Sequence, residues 1–207
     1  MNTSQLLCEK LLQINAIKLS PQNPFTWASG IKSPIYCDNR ISLSYPEVRN
    51  LVKEGLKKIC SQMTSFDAVA GVATAGIAHG ALLADLLNVP FAYVRAEAKS
   101  HGRKNRIEGD LSACHDILVV EDLISTGGSS LQVVDVLREE GKNVVGVVAI
   151  FDYGFEQARQ NFLKHNVVYK TITNYDTLIQ VADENEYIKE EDVRMLIEWR
   201  VDPQNWA

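Results

Sequence analysis

No stretch of this sequence approaches the roughly 18 consecutive apolar residues needed to cross a bilayer. The opening "MNTSQLLCEKLLQINAIKL" alternates polar and apolar residues where a secretory signal would be continuously hydrophobic, so a cytoplasmic location without membrane attachment is expected. Cysteine is sparse: Cys8, Cys37, Cys60 and Cys114 are isolated and widely spaced, which excludes a CxxC metal pair and a disulfide framework and predicts reduced thiols. Net positive charge is also missing. At −5 the chain is a poor general binder of nucleic acid, and any polyanion must be met by a local basic site. There is no repeat of fixed period, no low-complexity tract and no Pro/Gly/Ser linker to separate a second domain.

What is present fits one core. With 207 residues, 46% of them hydrophobic, the chain suffices for a single domain spanning residues 1–207. "SQLLCEKLLQI" places Leu6, Leu7, Leu11, Leu12 and Ile14 at helical spacing, and Ser44 with Glu47 offers a capping-box start for a second helix running to about Met63. Five short apolar runs follow: "FDAVAGV", "PFAYVR", "DILVVED", "NVVGVVAIF" and "VVYKTI". Helical segments such as "GIAHGALLADLL" and "SSLQVVDVLREEG" lie between some of them, the alternation of an α/β fold with a mainly parallel central sheet. Residues 18–40 carry three prolines and several aromatics without a period, and are expected to form an irregular cap over one end of that sheet.

The stretch with the most chemistry is "VVEDLISTGGSS", residues 119–130. Two adjacent carboxylates, Glu121 and Asp122, stand where a buried strand is expected to end. They repel each other and resist burial, so sugar hydroxyls or a hydrated cation should compensate them. The following loop leads into a helix, so first-turn N–H groups, hydroxyls and closely approaching glycines can converge on a phosphate. An ordinary strand-to-helix turn with capping hydroxyls is the plain alternative. It is not a Walker loop, because no Lys-Ser/Thr follows the glycines, and "GVATAG" lacks that lysine as well. A phosphorylated sugar would satisfy both the acidic pair and the loop.

Apolar residues followed by "EDLISTGGSS" resemble the phosphoribosyl pyrophosphate motif of the type I phosphoribosyltransferase family. That resemblance implies the family's fold, a central mainly parallel sheet flanked by helices, with residues 18–40 as an N-terminal hood. A second stretch, "RAEAKSHGRKNRIEGD" at 95–110, holds five Lys or Arg and His101 with little to bury, so a mobile loop is expected. Read alone it is a solvated basic loop. Its Arg95, Lys99 and His101 followed by Gly102 resemble the catalytic loop of the orotate phosphoribosyltransferase family, and "FTWASGIKSPIYCDNR" resembles that family's hood.

The resemblance implies a pentosyltransferase that moves phosphoribose from 5-phospho-α-D-ribose 1-diphosphate (PRPP) to orotate, giving orotidine 5′-monophosphate in pyrimidine synthesis. By the same resemblance Lys99, His101 and Asp122 are the catalytic residues. PRPP would be bound by Arg95, Lys99, His101, Glu121, Asp122, Leu123, Ile124, Ser125, Thr126, Gly127, Gly128 and Ser129, with Ser125 also touching orotate. Magnesium is the implied cofactor, held through PRPP and water with no dedicated protein ligands, and a homodimer is implied in which the basic loop serves the partner's site.

The chain departs from some members of that family at Ala28, Ala75 and Ala96, where they carry basic residues, and "FDYGFEQ" lacks the arginine some of them use for the orotate carboxylate. Lys32, Arg40 and backbone N–H groups are the candidates for that task. A purine enzyme would need a different hood, and a PRPP-sensing regulator would have little use for "AKSHG" and would usually add a nucleic-acid surface.

Overall fold

The computed structural model describes residues 2–27, 30–95 and 106–206. Five of its strands coincide with the five apolar runs: β5 (Ala68–Val72), β6 (Phe91–Val94), β8 (Asp116–Ile124), β9 (Asn143–Asp152) and β10 (Tyr169–Asn174). With β7 (Ile107–Glu108) they form a six-stranded sheet in the order β10-β9-β8-β5-β6-β7, parallel except for the β6–β7 pair. The strands read as unbroken apolar runs because both faces of the sheet are covered. In β8, Leu118 and Val120 enter one core cluster while Ile117 and Val119 enter the other, and Val148/Ile150 and Val147/Ala149 of β9 divide the same way.

Helices α1 (Thr3–Gln13), α2 (Pro46–Cys60), α3 (Gly76–Leu87) and α6 (Tyr175–Glu184) contribute to the first cluster. α4 (Gly128–Glu139) and α5 (Glu156–Lys164) contribute to the second. The first helix begins with a capping box between Asn2 and Gln5 and buries Leu7, Cys8, Leu11 and Leu12. The capping box expected from Ser44 and Glu47 does not form. Ser44 is the last residue of a 3₁₀ helix over Asn39–Ser44, so α2 starts later, with Tyr45 at the N-cap and Pro46 in the first turn. It ends at Cys60, short of Met63.

Residues 18–40 are more regular than their sequence suggests. β1 (Ile17–Leu19) pairs antiparallel with β4 (Ile35–Cys37), and β2 (Phe25–Thr26) with β3 (Lys32–Ser33). The resulting ribbons are clamped by α7 (Glu190–Val201). Its fully buried Trp199 donates its indole N–H to the Lys32 carbonyl at 3.0 Å and meets Trp27 edge-on at 5.6 Å.

His79, one turn into α3, is 1% exposed, and among the described residues neither ring nitrogen has a hydrogen-bond partner. Burial pushes its pKa down from 6.5 to about 4. The folded state therefore holds His79 neutral, an arrangement whose stability is complete above the unfolded value and is lost as pH falls from about 6.5 through about 4. Between pH 7.5 and 4.5, urea unfolding should show the native chain losing about 2–3 kcal/mol more stability than His79→Leu. Parallel losses in the two proteins would show that this histidine does not drive acid sensitivity.

Candidate active site

Strand connectivity fixes where a ligand can sit. From β5 the chain crosses through α3 toward β6 on one side, and from β8 it crosses through α4 to β9 on the other, with the two helices on opposite faces. The order therefore reverses between β5 and β8, and the crevice outside their carboxyl ends is the expected binding place. The ladder between them stops at Gly71–Val120, whereas β8 continues along β9 to Ile124. Glu121 and Asp122 thus lie inside β8 just beyond the end of β5, rather than past the end of a strand. The turn after β5 packs tightly here: a Cβ on Gly76 would come within 2.4 Å of the Val120 carbonyl oxygen, so no larger residue fits without moving β8. The Ala73–Thr74 peptide in this turn is cis.

The two carboxylates divide their work. Glu121 is 4% exposed. Its Oε1 accepts from the Asp122 backbone N–H at 3.0 Å, and its Oε2 accepts from Ser129 Oγ at 2.9 Å and Ser130 Oγ at 3.4 Å, tying the first turn of α4 to β8. Burial pushes the Glu121 carboxyl well up, and the adjacent Asp122 carboxylate adds to this. Asp122 is also raised by burial, with opposing contributions from its hydrogen bond to Glu121 and from the Arg40 charge. Of the two, Glu121 is the more deeply buried and the more strongly raised, and Asp122 is the more open.

Between β8 and α4, Ser125, Thr126 and Gly127 form a short turn. Gly127 is the N-cap at φ +80°, and no side chain among the described residues caps the helix. The first N–H groups of α4 have no intrahelical acceptor and carry the positive end of the helix dipole, the arrangement that receives a phosphate. Asn161 Nδ2 donates to the Thr126 carbonyl at 3.0 Å and steadies the turn from α5. Of the two glycines, Gly127 carries the structural demand: an added Cβ would lie 2.6 Å from the Phe162 ring, whereas at Gly128 it would meet nothing closer than Thr126 Oγ1 at 3.8 Å. Gly127→Ala should therefore cost about 2–3 kcal/mol from the left-handed backbone and the clash together. Calorimetry should show a Tm drop of roughly 5–10 °C for Gly127→Ala and little change for Gly128→Ala. Equal shifts would remove the special role of Gly127.

Across the crevice the hood supplies a cavity of about 290 Å³ lined by Thr26, Trp27, Tyr36, Cys37, Leu123, Ser125 and Tyr153. Asp122 adjoins the lining residue Leu123, and its charge helps to raise the pKa of both Cys37 and Tyr153. Trp27 and Tyr153 lie 5.3 Å apart between ring centroids, and Tyr153 stacks on Phe155. A mainly aromatic wall with a few hydroxyls suits a flat heteroaromatic ring. Asn39 Nδ2 donates to the Asp122 carbonyl at 2.9 Å and links the hood to β8.

Structure thus gathers Glu121, Asp122, Leu123, Ile124, Ser125, Thr126, Gly127, Gly128 and Ser129 at one sheet end. Arg95 directly follows β6 on the same side; it pairs with Glu108 at 3.7 Å, and its N–H donates to the Arg106 carbonyl at 2.9 Å. That bond closes the base of the basic loop, which emerges two strand spacings, roughly 10 Å, from β8. Lys99 and His101 lie outside the described residues, as do Ala28 and Ala96. Sequence reasoning did not single out Asn39, Ser130, Tyr153 or Trp199. Tyr153 alone carried a signal, as the residue that follows the "AIFD" strand.

A nucleotide-type crevice with an uncapped phosphate turn, an acidic pair and an aromatic hood places the chain among transferases of phosphorylated sugars. The family model for the phosphoribosyl transferase domain matches residues 43–185. An orotate phosphoribosyltransferase of Bacteroides thetaiotaomicron is 53% identical, covering 99% of this chain and 97% of the relative. One from Listeria monocytogenes is 49% identical over the whole of both chains. The crystal structure of orotate phosphoribosyltransferase from Aeropyrum pernix superposes with a TM-score of 0.76 at 28% identity, over 88% of this chain and 99% of that one. The chain belongs to the orotate phosphoribosyltransferase family.

Proposed function

We infer that the chain transfers the phosphoribosyl group of PRPP to N1 of orotate, releasing diphosphate and orotidine 5′-monophosphate in pyrimidine synthesis. The observation that carries this reading is the junction of the uncapped α4 turn, Asp122 and the aromatic hood cavity, which meet at Ser125. Residues 125–129 receive the 5-phosphate, Asp122 faces the ribose, and the base lies in the cavity against Trp27 and Tyr153, with Ser125 reaching both ligands. Glu121 serves as a brace that keeps the phosphate turn in place. As the bond to diphosphate lengthens, positive charge grows on the ribosyl ring and negative charge on the leaving group. Asp122 stabilises the first, and Arg95, Lys99 and His101 the second.

Magnesium, carried in by the diphosphate, would supply further charge neutralisation of the leaving group. The described residues offer no cluster of three metal-ligating side chains, and Asp122 is the carboxylate that can meet a substrate-borne ion through water. We further read the chain as one domain and a homodimer acting in the cytoplasm on small molecules, not on nucleic acid; no described helix is long and apolar enough to span a membrane. The deciding assay follows diphosphate release with PRPP alone, orotate alone and both together. Release that needs both supports the reading, and release without orotate, or preference for a purine, overturns it.

A further inference from the structure

The acceptor inferred above carries a carboxylate, yet among the described residues the hood cavity has no lysine, arginine or histidine in its lining, and the acidic Asp122 adjoins its Leu123. An anion entering such a space needs a cation close by to offset that field. Three described cations lie in the hood, and of these Lys18 makes no side-chain hydrogen bond to a cavity-lining residue among the described residues. Arg40 is committed to Asp38 through a two-point contact, Nε to Oδ1 at 2.7 Å and Nη2 to Oδ2 at 2.9 Å. Lys32 is in no ion pair among the described residues, and its Nζ rests on Thr26 Oγ1 at 3.0 Å.

Its position is built. Lys32 and Thr26 are direct partners in the β2–β3 ladder, so their side chains project from the same face of the ribbon, and Thr26 lines the cavity. Behind the ribbon, the buried Trp199 indole holds the Lys32 carbonyl and fixes the backbone from which the lysine extends. On an exposed residue, the ammonium is hydrogen-bonded among the described residues only to a neutral hydroxyl, which costs little to exchange for a carboxylate.

We propose that Lys32, presented by Thr26 and anchored through Trp199, is the cation that recognises the acceptor's carboxylate and sets the preference for a carboxylated pyrimidine. This rests on orotate as the acceptor. Steady-state kinetics of Lys32→Met and Lys32→Arg, with each substrate varied in turn, tests it. Lys32→Met should raise KM for orotate about tenfold or more, the loss of one charge-assisted hydrogen bond, with KM for PRPP held within about twofold. Lys32→Arg should recover most of the orotate affinity. An unchanged orotate KM in Lys32→Met, a matching rise in the PRPP KM, or no recovery with arginine overturns the assignment. If the unmodified protein releases no diphosphate with orotate and PRPP, the activity reading itself falls. If it does and Lys32→Met matches it, only the role of Lys32 falls.

Discussion

Asp122→Asn should lower kcat by about 100-fold or more while leaving the fold intact, because it removes the charge proposed to face the developing ribosyl cation and keeps the shape of the side chain. Stability should not suffer. Burial raises the Asp122 pKa, so in the folded state its charge is disfavoured relative to the unfolded chain, and at neutral pH that charge subtracts from stability. An uncharged amide at this place leaves Tm equal or slightly higher. The backbone groups of residue 122, which hold Asn39 and Glu121, are untouched by the change. A kcat within a few-fold of the unmodified protein would take Asp122 out of catalysis. A large fall in Tm would instead make it a structural residue. Glu121→Gln makes a useful contrast: it leaves a neutral group in the brace and should spare much more activity.

The central sheet was legible because each strand is buried on both faces, so "ILVV" and "NVVGVVAIF" show no polar interruption, and α3 and α4 fill the spacing between them. The turn before α4 was legible because it is local: Ser125 to Ser129 are consecutive and run directly into the helix. The separate duties of Glu121 and Asp122 were not. They depend on Ser129 and Ser130 returning from α4 to one carboxylate and not the other, a contact that needs the folded turn. The hood was misjudged as irregular since strands of two or three residues are too short to show alternation, and what stabilises them comes from Trp199, more than 160 residues away. Ser44 and Glu47 illustrate the opposite error: the local pattern favoured a capping box, and Pro46 with the preceding 3₁₀ turn decided the start of α2 instead.

Mixed dimers of Lys99→Ala and Asp122→Asn chains should recover about half of the activity of the unmodified dimer, although each variant homodimer is nearly inactive. The expectation follows from the shared loop inferred for the homodimer. If Lys99 of one subunit serves the crevice of the other, a mixed dimer has one site with both lesions and one with neither, by two-fold symmetry. The strand order alone permits the other arrangement. The loop leaves and rejoins the sheet at Arg95 and Arg106, on the same side as Asp122 and only two strands from β8, a distance that ten intervening residues can span within one subunit. In that case each site of the mixed dimer keeps one lesion and activity stays near that of the homodimers. Co-expression with two different tags, sequential purification and an orotate-plus-PRPP assay separate these outcomes. The result bears on sharing alone, because the proposed role of Lys99 at the diphosphate is the same in either arrangement.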